Sequence, residues 1–259
     1  MDATHAFQRL HRQPAYKALS STMEQHIVSG VLKPGTALPT EQELASRFGV
    51  NRSTLREAIR QLEQEGLLER HGGKRLYVAL PGLFDLAPRA ARALVLHQVT
   101  FQELWEVAVV VEPEAARLAA QRADAADLAE IEANLEAMGG TIGAAAQFER
   151  HSEIDVAFHA LVARASRNRS LMLAREPFSL LYRPVLTRLQ SLLPQSAGRN
   201  LQAHRQITAA LRQRDTGLAE TWTRKHLIDF RKGFLRAGLP IDAPIDSLPP
   251  RAVTKEHAR

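Results

Sequence analysis

Hydrophobic residues recur with helical spacing over most of the chain, and the interruptions divide it into a small and a large unit. In residues 14–80 the spacing predicts one helix that ends near Gly30 and a short helix that begins after Thr40. A third helix is predicted from Asn51 to about Gly66, and two short apolar runs around the sequence HGGK predict a β-hairpin. This order, with a tight turn between the second and third helices, is typical of a helix-turn-helix followed by a wing.

The remainder is predicted to be helical apart from its two ends. Residues 81–92, PGLFDLAPRAAR, are predicted to form a linker, and the proline-rich residues 239–259 a disordered tail. Residues 93–238 are predicted to form a helical bundle with helices at 100–122, 124–138, 144–166, 170–193, 198–214 and 216–237. Pro177 and Pro184 are expected to start, kink or divide the fourth of these helices. The predicted fold class is mostly α: an N-terminal winged helix-turn-helix followed by an all-α bundle.

Composition narrows the classes of protein that fit this pattern. A chain of 259 residues with 45% hydrophobic residues suggests two domains with substantial cores. No segment approaches the ~20 apolar residues of a membrane span, and the start, MDATHAFQRLHRQ, lacks the apolar core of a signal peptide. Cysteine is absent, so that disulfides are excluded and any metal would take nitrogen or oxygen ligands. We therefore expect a cytoplasmic protein without a membrane partner.

The third predicted helix separates basic and apolar side chains onto different faces. Arg52, Arg56 and Arg60 follow one another at intervals of four residues on one face. The other face carries Leu55, Ala58, Ile59 and Leu62. Taken alone, such a helix is more simply a surface helix with ion pairs, and the net charge of +6 is explained equally well by a solvated basic surface. With the preceding helix, the tight turn and the basic hairpin included, binding to double-stranded DNA is the preferred interpretation.

The segment from Gly30 to Arg70, GVLKPGTALPTEQELASRFGVNRSTLREAIRQLEQEGLLER, resembles the winged-helix region of GntR-family transcription regulators. The PG turn, LPTEQELA, GV-R-T-REA and EGLL occur in the family's order, and the resemblance covers about residues 15–80. It implies a recognition helix that contacts an operator and a wing tip that enters the minor groove. The DNA-binding residues assigned in this way are Arg47, Asn51, Arg52, Ser53, Thr54, Arg56, Gly73 and Lys74. Because one winged helix reads only a few base pairs, we expect a homodimer on a palindromic operator.

A carboxylate and several imidazoles occur in the later helices. The sequence DVAFH places Asp155 and His159 four residues apart on one helical face, and His204 and His226 fall in two further helices. Such a pair is usually only hydrogen-bonded, and the alternative is a pair of metal ligands. His151, one turn before Asp155, is a competitor for the same role, but a position on the surface or behind the ligands is the preferred interpretation for it.

Residues 90–237 resemble the helical effector domain, of FCD type, in the FadR-like branch of the same family. The segments EIDVAFHALVARASRN, AHRQITAALRQRD and TRKHL carry the resemblance. It implies a divalent metal ion, Zn²⁺ or Ni²⁺, whose ligands are Asp155, His159, His204 and His226. Many relatives carry an arginine for a carboxylate effector where this chain has Ala108, in LWEVAVVVE. Arg183 or Arg188, on the proline-containing helix, is the candidate replacement.

These patterns together predict a ligand-responsive, dimeric DNA-binding transcription regulator. It would sense a small carboxylate metabolite through a metal-containing pocket in the helical domain. A metal-dependent enzyme is one alternative, since a site with three histidines and an aspartate has open positions for a nucleophilic water. No further catalytic group supports that alternative, and it leaves the DNA-binding half unexplained. A constitutive DNA-binding protein without an effector is the other alternative, and it would not need the histidine constellation.

Overall fold

The computed structural model of the protein describes residues 13–72, 75–143 and 145–247. Within these residues the chain forms ten α-helices and one two-stranded antiparallel sheet. It divides into two compact units between Asp85 and Leu86. The mostly α fold class is therefore confirmed. The division falls inside the segment predicted as a linker, most of which belongs to a helix.

The small unit contains three helices and a hairpin in the predicted order. The elements are α1 (Ala15–Val28), α2 (Glu41–Phe48), α3 (Arg52–Gln64), β1 (Leu68–His71) and β2 (Arg75–Val78). A capping box starts α2, because Thr40 accepts from the Glu43 N–H and the Glu43 carboxylate accepts from the Thr40 N–H. Gly49 ends α2 with a φ of 63°, in the left-handed region that glycine enters without strain. The turn between α2 and α3 is thus three residues long, as predicted.

The core of the small unit fixes which face of α3 meets solvent. Leu55, Ala58, Ile59 and Leu62 all have an exposed fraction of 0%. They pack with Met23 of α1, Leu44 of α2 and Leu76 of β2 in one apolar cluster. Since this face is fully buried, the basic face of α3 is turned outward.

From residue 83 to residue 236 the chain is mostly helical. The six predicted helices have boundaries within a few residues of those predicted, whereas a further helix occupies most of the predicted linker. The helices are α4 (Leu83–Leu96), α5 (Phe101–Arg122), α6 (Ala125–Gly139), α7 (Phe148–Ala165), α8 (Arg169–Leu192), α9 (Ser196–Arg212) and α10 (Thr216–Arg236). A single 3-10 turn, Ala145–Gln147, precedes α7, which was predicted to begin at residue 144. Neither Pro177 nor Pro184 starts or divides α8. Pro177 is buried, and tertiary packing holds the helix across the hydrogen bond that proline cannot make.

Aromatic rings form the centre of the apolar core at one end of α5. The rings of Phe101 and Phe234 stack with centroids 3.9 Å apart, and Phe230 meets Phe101 edge-on at 5.2 Å. A second apolar cluster includes Phe158 of α7 and Ile207 of α9. Both clusters border buried polar groups.

Residues 239–247 do not form a disordered tail, and that prediction is wrong for this segment. Leu239 and Ile245 are buried in the same cluster as Phe101. The Ile245 N–H donates to the Val99 carbonyl at 2.9 Å, and the Gln102 N–H donates to the Ile241 carbonyl at 3.1 Å. The second bond satisfies a free N–H in the first turn of α5, so a few apolar residues and two backbone bonds hold the segment in place. The remainder of the predicted tail, 248–259, lies outside the described residues.

None of the helices in the described part of the chain has the length and apolar character needed to span a membrane.

The aromatic core predicts unequal effects for two neighbouring residues of α10. Phe234→Ala should lower the free energy of unfolding of the large unit by about 3–5 kcal/mol, because the side chain is fully buried. Leu235→Ala, at a position with an exposed fraction of 46%, should change it by less than about 0.5 kcal/mol. Urea unfolding followed by tryptophan fluorescence measures this, since both tryptophans, Trp105 and Trp222, lie in the large unit. Equal losses in the two variants would contradict the described core.

Candidate metal centre and nucleic-acid interface

Three helices bring a carboxylate and three imidazoles together inside the large unit. Asp155 and His159 come from α7, His204 from α9 and His226 from α10. One ligand atom from each lies within 4.8 Å of all the others. The His226 Nε2 atom is 3.2 Å from the Nε2 of His159 and 3.3 Å from the Nε2 of His204. The structure thus assembles the four residues that the sequence singled out.

The four side chains are shielded from water. The exposed fractions are 3% for Asp155, 0% for His204 and 6% for His226, and the His159 side chain is 10% exposed. His204 lies on the buried stripe of α9, between Leu201 and Ile207, so helical periodicity places it in the bundle. His151 is also buried, but its Nδ1 contacts the Thr141 hydroxyl at 2.7 Å and it does not belong to the cluster.

The chemistry of the donor set fits a metal ion. Two neutral imidazole nitrogens can share at most one proton, so three converging Nε2 atoms leave lone pairs directed at one another. A tetrahedral ion with metal–nitrogen bonds of about 2.0–2.1 Å would hold its nitrogen ligands about 3.3 Å apart, close to the observed spacings of 3.2 and 3.3 Å. The residues present are therefore suited to Zn²⁺ or a similar divalent ion.

Two outer residues, absent from the sequence prediction, orient the inner ones. The Nδ1 of His159 lies 2.5 Å from Oε2 of the buried Glu112, which leaves the His159 Nε2 facing the cluster. The amide of Asn200 donates to Oδ1 of Asp155 at 3.0 Å. Glu112 had a signal in the sequence, because it follows Ala108 by one turn on the buried stripe of α5 and is charged.

Burial and charge set the protonation of the cluster. Burial raises the pKa of Asp155 to about 6, so that the carboxyl is ionised above that pH. Burial acts to raise the pKa of Glu112 as well, but His159 and Arg175 outweigh it and hold the value at about 2. Burial lowers the pKa of His204 well below its ordinary value and that of His226 to about 3. Both imidazoles are then neutral near pH 7, which is the form that binds metals.

The arginine beside this cluster is not one of those proposed from the sequence. Arg183 is exposed and pairs with Glu149 and Glu153, and Arg188 does not line the cavity next to the cluster. Arg175, two turns of α8 before Arg183, does line that cavity. Neither Arg183 nor Arg188 therefore lies at the cluster, whereas the register of α8 turns Arg175 toward it.

The small unit presents a cleft of about 600 Å³ between α2, α3 and β2. Arg52 and Arg56 line it from the exposed face of α3, and Arg75 lines it from β2. Cationic side chains around a cleft at the N-terminal half of α3 form a surface suited to nucleic acid. Gln42, on α2, lies at the same cleft and accepts a hydrogen bond from Arg52 at 2.9 Å.

A carboxylate, Glu41, pairs with one arginine of this surface, Arg56, and with a neighbouring arginine, Arg70. Glu41 accepts from Arg56 at 2.9 Å through one oxygen and from Arg70 at 2.9 Å through the other. Arg70 also donates to Glu63 at 2.8 Å. The hydrogen bond from Arg56, followed by that from Arg70, lowers the pKa of Glu41. Glu41 is not among the residues predicted from the sequence, although the N-terminal turn of α2 is an electrostatically favourable place for a carboxylate.

The other predicted DNA-binding residues have mixed surroundings. Asn51 caps α3, since its side chain accepts from the Thr54 N–H at 2.8 Å and from the Ser53 hydroxyl at 2.7 Å. Arg47 is exposed in the last turn of α2. Gly73 and Lys74 lie outside the described residues. Contact of any of these residues with DNA stays a prediction.

Comparison with known families agrees with both units. Residues 15–78 match the family described as bacterial regulatory proteins of the gntR family, and residues 103–229 match the FCD domain. The fold and its two sites define a winged-helix transcription regulator with a helical C-terminal domain. The chain belongs to the GntR family and, within it, to the regulators that carry an FCD domain.

Individual relatives extend the similarity over most of the chain. An uncharacterized HTH-type transcriptional regulator of Mycobacterium tuberculosis is 34% identical, over 66% of this chain and 69% of that protein. The Glc operon transcriptional activator of Escherichia coli is 29% identical, over 85% and 89% respectively. The galactonate operon transcriptional repressor of E. coli is 31% identical, over 77% and 87%. These relatives are regulators and not enzymes, and this protein is likewise a regulator.

Among solved structures, Streptococcus agalactiae GntR superposes with a TM-score of 0.60 at 24% identity, over 84% of this chain and 99% of that one. This similarity supports the fold.

Because Arg52 and Arg56 line the cleft of the small unit, we predict that both contribute to DNA affinity. Arg52→Ala and Arg56→Ala should each weaken binding by about 1–3 kcal/mol if the side chain reaches a base edge, without unfolding the unit, because both side chains are exposed. Fluorescence anisotropy on a duplex selected by the wild-type protein from a random pool measures the effect. Arg117→Ala, which removes an arginine paired with Glu114 on α5, is the charge-matched control. Full affinity in both α3 variants would reject this surface.

Proposed function

We propose that the protein is a ligand-responsive regulator whose helical domain holds a divalent metal ion and senses a small carboxylate metabolite beside it. The convergence of three Nε2 atoms and the Asp155 carboxylate carries the proposal. Four polar groups buried without a cation would leave facing lone pairs unsatisfied, which is costly inside a protein. A regulator that bound DNA constitutively would have no use for such a cluster.

The residues of the chain have separate roles in this proposal. Asp155, His159, His204 and His226 hold the ion, while Glu112 and Asn200 keep His159 and Asp155 in orientation. A bound Zn²⁺ or Ni²⁺ supplies a positive centre that an anionic oxygen of the effector can approach. Ala108 is buried in the apolar core, so it contributes neither charge nor a hydrogen bond to the effector.

The class of effector is supported by chemistry and by one relative. A divalent cation in a water-poor pocket favours an anion over a neutral metabolite. One of the relatives is a repressor of the galactonate operon, and galactonate is a sugar acid with one carboxylate. For this chain a carboxylate metabolite is the effector class proposed.

The proposed DNA target is a palindromic operator that is bound by a homodimer in the bacterial cytoplasm. A single α3 presents its contacts over about one turn of a major groove, and two copies related by a two-fold axis read two half-sites.

Metal content tests the centre directly. The protein should retain about one Zn²⁺ or Ni²⁺ per chain after exposure to the ion and gel filtration, measured by plasma mass spectrometry. The double variant His204→Ala, His226→Ala should lose it, whereas His26→Ala, His97→Ala, which removes two exposed histidines, should not. The ion should also raise the unfolding free energy by about 2.7 kcal/mol at a free concentration one hundred times its Kd. Equal metal content in the two double variants would reject the site.

Stoichiometry on DNA tests the dimer. Analytical ultracentrifugation of the protein on one selected operator duplex should give two chains per duplex at saturation, because each half-site takes one winged helix. A duplex cut down to one half-site should bind at least about tenfold more weakly, since the second set of contacts is lost. A one-to-one complex at saturation on the full operator would be incompatible with the proposal.

A further inference from the structure

Arg175 is a buried arginine with unused hydrogen-bonding capacity. Its exposed fraction is 3%, and neither Nε nor Nη1 has a hydrogen-bond partner among the described residues. Nη2 donates to the Val156 carbonyl at 3.2 Å. The carboxylates nearest to it are at ion-pair distance only, with Glu112 3.5 Å from Nε and Glu176 3.6 Å from Nη1. A buried guanidinium is costly to leave with two nitrogen atoms unbonded, which points to a missing hydrogen-bond acceptor.

This arginine lines the cavity beside the metal cluster. The cavity is about 30 Å³ in volume, and its lining includes Asp155, His159 and His226 together with Arg175 and Tyr182. The Tyr182 hydroxyl is buried and has no hydrogen-bond partner within the described part of the chain. Burial raises the pKa of Tyr182, so that it stays a hydroxyl and can donate. The Arg175 guanidinium and the Tyr182 hydroxyl thus both have unpartnered donor atoms, and both line the cavity next to the proposed metal ion.

The net charge of the cavity changes sign when a divalent metal ion binds. Two carboxylates, Glu112 and Asp155, and one guanidinium, Arg175, line the cavity, and their formal charges sum to one net negative charge. A divalent ion turns this into one net positive charge. A single carboxylate then neutralises the pocket, whereas a neutral ligand leaves the buried charge uncompensated.

We propose that Arg175 binds the carboxylate of the effector, with the Tyr182 hydroxyl as a second donor to the same ligand. The inference rests on the proposed metal site, toward which another oxygen of the ligand would face. Arg175 takes over on α8 the role that Ala108 cannot fill on α5, and the two positions are linked through Glu112, one turn after Ala108 and in contact with Arg175. A cavity of about 30 Å³ holds on the order of two water molecules, so the smallest carboxylates are favoured over larger ones.

Calorimetric titration of the zinc-loaded full-length protein tests this assignment. The probes are acetate, glycolate, L-lactate and pyruvate, each compared with its neutral amide. At least one carboxylate should bind, and its amide should bind at least about tenfold more weakly. Arg175→Met should weaken the same carboxylate at least about tenfold, the loss expected for a charged hydrogen bond. The control Arg183→Met, on the exposed face of α8, should leave the affinity unchanged.

Two further variants keep the test decisive if Arg175→Met does not fold. Tyr182→Phe removes a hydroxyl that has no partner, so it should preserve the fold and weaken the carboxylate severalfold. The variant Arg175→Lys keeps the net charge of the pocket and leaves Glu112 and the metal ligands intact, but removes the guanidinium. Its loss of carboxylate binding at unchanged zinc content would assign the contact to Arg175 itself.

The outcomes separate this inference from the proposed metal site. Wild-type affinity in a folded, zinc-loaded Arg175 variant would overturn the inference and leave the metal site standing. The inference would also be overturned if none of the four carboxylates bound the wild-type protein at a concentration on the order of 10 mM. Carboxylate binding that needs Arg175 in a protein that retains no zinc would support the inference and reject the metal site.

Discussion

Burial of polar groups between helices is the constraint on which the large unit depends. Asp155, His204 and His226 are almost completely removed from water, and such groups are stable only when their hydrogen-bonding or ligand capacity is used. The ring of Phe158 stacks on that of His204 with centroids 3.8 Å apart. The His204 side chain is therefore held both by apolar packing and by its polar neighbours in the cluster. Because the four inner residues come from α7, α9 and α10, the cluster specifies how these helices pack in register.

Much of the fold could be predicted because its signals are local. Thr40 and Glu43 form a capping box, Gly49 has a positive φ and Asn51 caps α3, and each is readable from residues a few positions apart. The metal cluster could be predicted from the family resemblance together with the spacing of Asp155 and His159. These features depend on few residues, and their geometry varies little between proteins.

The errors concern features that depend on which helices meet. Arg175, Arg183 and Arg188 lie on one helix, and periodicity alone could not decide which of them faces the cluster, since that depends on the packing of α8 against α5 and α7. Residues 239–247 have a composition typical of a tail, yet Leu239 and Ile245 find an apolar cluster that the sequence does not reveal. In both cases the deciding contacts join residues distant along the chain.

The DNA-binding surface proposed for the small unit and the pocket of the large unit each contain an arginine beside a carboxylate of the same chain. The two arginines differ in burial, and this difference decides which ligand each one suits. The Arg56 side chain is 63% exposed, so its pair with Glu41 contributes little stability and phosphate can replace the carboxylate at low cost, in a salt-dependent manner. Glu41 remains paired with Arg70 after that exchange and is not left alone beside DNA. The Arg175 side chain is 4% exposed, so water does not supply the hydrogen-bond acceptors that it lacks, and a carboxylate ligand in the pocket could supply them. Exposure thus suits the first arginine to rapid, reversible DNA contact, while burial suits the second to discrimination between charged and neutral ligands.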